Sequence, residues 1–119
     1  MSGARAIPLS VHAAIETVAA PAIMAAPLLL GFGQTAAVFA FAIGALLLGL
    51  AVQTVGPRRT IPLSAHAGFD YALAAAAIIG GLVIGIGKGE WGSAIFLVGI
   101  GAALATLTAS TRFSLPIGA

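Results

Sequence analysis

Arg5-Ala6-Ile7-Pro8-Leu9-Ser10-Val11-His12-Ala13 recurs as Arg59-Thr60-Ile61-Pro62-Leu63-Ser64-Ala65-His66-Ala67, displaced by 54 residues, and at the same displacement Glu16 falls on Asp70. Leu28 with Leu82, Gly31 with Gly85 and Gly33 with Gly87 continue the match, after which the two halves agree in composition only. The chain is therefore read as two copies of one unit, residues 5–57 and 58–112, within a single domain covering residues 1–119.

The solvent of that unit follows from composition. Hydrophobic residues make up 61% of the 119 and charged residues 7%, whereas a soluble domain carries about 25% charged residues. A sphere of this composition has too few polar groups to cover its surface, and lipid is the medium in which an apolar exterior is favourable. With no cysteine in the chain, disulfides, thiolate metal sites and cysteine nucleophiles are excluded. Arg5, Arg58, Arg59, Lys88 and Arg112 are dispersed rather than clustered, which argues against nucleic acid as a partner.

No charged residue lies between Glu16 and Arg58. That length holds one span and most of a second, broken at Gly31-Phe32-Gly33-Gln34. Helices are expected at about Leu9–Leu30, Thr35–Val55, Leu63–Ile86 and Trp91–Ser110, each near the twenty residues a bilayer requires. Gly56-Pro57-Arg58-Arg59-Thr60 forms a polar turn between the units, and Gly87-Lys88-Gly89-Glu90 a short loop within the second. A cleaved signal peptide is the competing reading of the first segment, but its apolar region would contain Glu16 and two prolines. The expected fold class is all-α integral membrane, four transmembrane helices as two parallel helical hairpins.

Arg5, Arg58, Arg59 and Arg112 fall on one side of this arrangement and Lys88 on the other. The positive-inside rule then puts both termini in the cytoplasm, with the chain in the plasma membrane, a bacterial inner membrane. An even number of spans separates the copies, so both enter from the same side and are related by an axis along the membrane normal, which sets His12 and Glu16 at the depth of His66 and Asp70.

Pro8 and Pro62 suit a first helical turn, where a missing N–H costs nothing, and Arg5 and Arg59 suit the headgroup level. His12 with Glu16, and His66 with Asp70, are spaced i, i+4 and share a helix face. Ionisable groups at that depth are costly and face a protein interior, a cavity or one another. Three readings stand open. The cluster pins helices 1 and 3 together, each histidine bonded to its own carboxylate; or His12 and His66 ligate a haem b axially, with Arg5, Arg58 and Arg59 near its propionates; or the four side chains form a proton or ion path. No metal other than haem iron is expected.

There is no glycine-rich loop before a Lys-Ser or Lys-Thr pair, no His-Glu-x-x-His and no Gly-x-Ser-x-Gly, and no enzymatic activity is expected. Small residues allow close helix approach at Gly81 with Gly85, Ala45 with Gly49 and Gly99 with Ala103. Surplus small-residue surface implies a partner, either copies of this chain or other membrane subunits. The favoured functional reading is a non-catalytic small subunit, accessory or structural, of a larger membrane assembly or a homo-oligomer. The haem and the channel or carrier readings are its alternatives.

Ala26-Pro27-Leu28-Leu29-Leu30-Gly31-Phe32, followed by a small polar turn and the apolar run Ala40-Phe41-Ala42-Ile43-Gly44-Ala45-Leu46-Leu47, resembles the bacterial SPW-repeat membrane proteins. Ala26-Pro27-Leu28 stands where that family has Ser-Pro-Trp, and Gly81 takes the place of the proline in the second unit. The resemblance implies two helical hairpins and supplies no catalytic residues.

Overall fold

The computed structural model describes residues 5–55, the side chain of Val55 excepted, and residues 61–114. Arg58 and Arg59, and with them the expected turn between the units, lie outside the described residues. The described chain is all helical: α1 Leu9–Leu29, α2 Gln34–Val55, α3 Leu63–Lys88 and α4 Trp91–Ala109. Each is long and apolar enough to cross a membrane.

Local chemistry accounts for the ends. Pro8 and Pro62 stand just before α1 and α3 in extended conformation, and their carbonyls accept the N–H groups of His12 and His66 to open each helix. Gly89 ends α3 at φ 69°, in the left-handed region that glycine enters without strain, and its N–H returns to the Gly85 carbonyl. This cap carries α3 on to Lys88, beyond the Ile86 expected from sequence. Helix α1 runs on through Pro21 and Pro27.

α1 lies along α2 and α3 along α4, while α2 meets α3 over a shorter length and α1 touches α4 briefly. The core between them is made of small and aliphatic side chains, among them Ala20, Ala36, Ala40, Leu47, Ala74, Leu97 and Leu104. Leu29, Val18, Ile86 and Ile95 are more than 70% exposed, an exterior that suits lipid rather than water.

Closest approach comes at glycines that the small-residue pattern did not single out. A Cβ on Gly44 would lie 2.9 Å from the Ala20 carbonyl oxygen, and one on Gly101 would lie 2.6 Å from that of Ala74. Gly81 and Gly85 do pack on α4, against Leu97, Ala94 and Trp91. Gly49 and Gly99 face open space, and Ala45 and Ala103 are exposed, so those four residues take no part in close packing within the chain.

The two close approaches expose a change of register. Ala20 and Ala74 differ by the original 54 residues, but Gly44 and Gly101 differ by 57. At 57, α2 and α4 match in identity as well as composition: Ala37 with Ala94, Phe39 with Phe96, Ile43 with Ile100, Gly44 with Gly101, Leu47 with Leu104, Leu50 with Leu107 and Thr54 with Thr111. α3 outruns α1 by five residues, 26 against 21, and the loop that follows it is two shorter, 89–90 against 30–33, so the second unit is longer by three, close to one helical turn. The added turn hides the sequence match without turning the helix to a different face.

Candidate functional site

His12, Glu16, His66 and Asp70 are all buried, at 0%, 1%, 1% and 0% exposure. The i, i+4 spacing aligns each pair on one face of α1 or α3, and the fold turns those faces toward each other. The four side chains meet at one centre, where one ligand atom from each lies within 4.8 Å of the others.

Each histidine reaches across to the other hairpin. His12 Nε2 lies 2.9 Å from Asp70 Oδ2, and His66 Nε2 lies 3.3 Å from Glu16 Oε1. Contacts within each helix complete the ring: His12 Nε2 to Glu16 Oε2 at 2.9 Å and His66 Nε2 to Asp70 Oδ2 at 3.1 Å. A histidine bonded only to its own carboxylate, one of the three sequence readings, is therefore half of what is observed.

The opposite ring nitrogens have partners the sequence did not reveal. His12 Nδ1 lies 2.7 Å from Thr111 Oγ1 and His66 Nδ1 lies 2.8 Å from Thr54 Oγ1. Each threonine hydroxyl already donates its one proton to a backbone carbonyl, Thr111 to Leu107 at 2.6 Å and Thr54 to Leu50 at 2.9 Å. With the proton on that carbonyl the threonine oxygen accepts, and the Nδ1 facing it carries the hydrogen. Both Nε2 atoms are thereby committed to the carboxylates. Thr54 and Thr111 were legible only at the displacement of 57, which the added turn conceals.

A strap closes the centre at the end where both termini lie. The Ile7 N–H donates to the Ser110 carbonyl at 3.0 Å, and the Arg112 N–H to the Ile7 carbonyl at 2.9 Å. This carries the Phe113 ring to 5.1 Å from the His12 ring and 5.6 Å from the His66 ring, centroid to centroid. Arg5 and Arg112 are exposed at the same end, not among the polar atoms of the centre.

Two carboxylates and two Nε2 atoms in a dry site require a hydrogen or a cation between them, because bare lone pairs facing carboxylates at these distances repel, and a proton on each carboxyl is one way to supply it. Protons on the Nε2 atoms supply it; so does one metal ion. Haem does not fit. Glu16 and Asp70 stand within 3.3 Å of the Nε2 atoms and fill the space between the rings that a porphyrin would need. Set against known protein families, curated proteins and solved structures, the chain matches none.

Proposed function

We propose that the chain is a non-catalytic integral membrane protein that holds a cation, proton or metal ion, at a fixed depth in the bilayer. The single observation that carries this reading is the pairing of both Nδ1 atoms with Thr54 and Thr111, which leaves both Nε2 atoms aimed at Glu16 and Asp70. Four buried ionisable groups cost more than a bundle needs for cohesion, since apolar packing of the same volume holds helices as well. A cost of that kind at membrane depth marks a functional centre.

The proposal includes the setting. The two hairpins are parallel repeats in a bacterial inner membrane with both termini cytoplasmic, supported by the paired histidines and threonines and by the excess of arginine at the end where the termini meet. The protein works as a small subunit, with copies of itself or within a larger membrane assembly. Gly49 and Gly99 support this, being glycines with open space before them on exposed faces.

Nitrogen-15 NMR of the histidine rings tests the cation reading. Both Nε2 signals are expected in the range of nitrogen bearing a proton or a metal; bare Nε2 lone pairs, with the protons on Glu16 and Asp70, would overturn it. Single cysteines test the orientation: one near Arg112 should react only from the cytoplasm and one near Gly89 only from outside, and the reverse pattern would invert the topology.

A further inference from the structure

We propose that His12 Nε2, His66 Nε2 and one carboxylate oxygen each from Glu16 and Asp70 form a four-coordinate site for one divalent transition-metal ion, with zinc as its type. The inference rests on the cation reading above and names the cation. Histidine nitrogen with carboxylate oxygen, without thiolate, is a donor set for zinc and its neighbours in the first transition row, and too rich in nitrogen for calcium or magnesium.

Geometry supports the assignment. Zinc binds such donors at about 2.0–2.2 Å, which in a tetrahedron sets neighbouring donors roughly 3.3–3.6 Å apart. The nitrogen–oxygen separations around the centre are 2.9, 2.9, 3.1 and 3.3 Å, with Glu16 meeting His12 through Oε2 and His66 through Oε1, and the ligand atoms all lie within 4.8 Å of one another, so an ion needs the short contacts to open by a few tenths of an ångström, the widest separations to close, and one Glu16 oxygen to serve as donor. Donor atoms remain available. Asp70 Oδ1 and Glu16 Oε2 are fully buried and accept no hydrogen bond among the described residues, although Oε2 is within ion-pair distance of His12.

The surroundings are those of a metal site. A ligating histidine donates its second ring N–H to a fixed acceptor, which sets the tautomer and the ring plane; Thr111 and Thr54 are those acceptors, each oriented by its own bond to a helix carbonyl. Two neutral histidines, two carboxylates and a dication sum to zero charge, the state that a buried site in lipid tolerates best. The ligands come two from each hairpin, so the ion ties the halves together.

The test uses the whole chain in mild detergent, stripped with chelator and then given Zn2+ alone, with bound metal counted after desalting. Co2+ in its place reports coordination through its visible spectrum. One tightly held ion per chain and the intense absorption of tetrahedral cobalt are expected. His12→Gln and Asp70→Asn should lose the ion, and Thr54→Val or Thr111→Val should weaken it about 10–100-fold while keeping all four ligands. The threonine variants decide the matter if the ligand variants fail to fold. A wild-type chain that remains metal-free at micromolar Zn2+, ligand variants that keep the ion, or threonine variants with unchanged affinity would each overturn the proposal. Failure here with protonated Nε2 atoms in the NMR experiment removes the metal and leaves the cation reading standing; bare Nε2 atoms remove both.

Discussion

The first hairpin, α1 with α2, and the second, α3 with α4, diverge along their apolar length and agree at their polar end. α1 has 21 residues and α3 has 26; Pro27 in one stands where Gly81 does in the other, and Ile23 where Ala77 does. Both pairs are buried, so the packing differs between the two hairpins. At the other end the one exchange is between two carboxylates, Glu16 against Asp70. Histidine, carboxylate and threonine recur with the same bonds, His12 to Thr111 and His66 to Thr54. Apolar packing tolerates exchange when volume is conserved overall, whereas a hydrogen-bonded centre tolerates none of its members being lost. The hairpins are alike where the chemistry is and free to differ elsewhere.

The largest effect is expected from removing one carboxylate charge from each half. Glu16→Gln and Asp70→Asn should each destabilise the protein by about 3–5 kcal/mol, since either leaves buried charge uncompensated, and the two costs should be similar. Unfolding in a graded detergent mixture measures both; a large difference would mean that one hairpin alone owns the centre.

Next in size are the close approaches. Gly44→Leu and Gly101→Leu should each cost about 1–3 kcal/mol or somewhat more, because a backbone carbonyl faces the new side chain and cannot swing away. The same unfolding measurement checks them. Gly49→Leu should stay within about 0.5 kcal/mol. Equal losses at Gly44 and Gly49 would undo the packing scheme.

Threonine substitution sharpens the comparison further. Thr54→Val and Thr111→Val each strand a buried histidine N–H, at about 1–3 kcal/mol, and thermal unfolding of the two variants should agree. Bound metal, on the proposal above, should also be released as pH falls, because protons compete for both histidines and both carboxylates. Retention of zinc in acid would argue for other ligands. The smallest effect on stability is expected at Gly99→Leu, which faces open space; there the change should come in native mass, as a loss of assembly with the chain still inserted.

Much of this architecture could be read from the chain before its structure was seen. The uncharged run from Glu16 to Arg58 and the prolines at positions 8 and 62 placed the helices within a few residues. The i, i+4 pairs named the four side chains of the centre, because burying ionisable groups leaves a mark that composition cannot hide. Thr54, Thr111, Gly44 and Gly101 were not legible. Threonine and glycine are ordinary in apolar helices, and their significance lies in which residue of another helix they meet. One added turn in α3 then displaced α4 from the register in which they could have been recognised by comparison with α2. The grouping of the four side chains was hidden for the same reason: spacing shows which residues share a helix face, but not that His12 meets Asp70 across the interface.

That cross-bonding has a consequence for what counts as the working unit. One hairpin holds one histidine and one carboxylate, and its histidine lies against the carboxylate of the other hairpin. Separate hairpins would assemble such a centre only by meeting in the membrane, to an extent set by their abundance. Joining them in one chain makes the second encounter intramolecular, with an effective concentration fixed by the short linker. The assembly of the centre then no longer depends on how many copies the cell makes, and a single molecule brings all four side chains together.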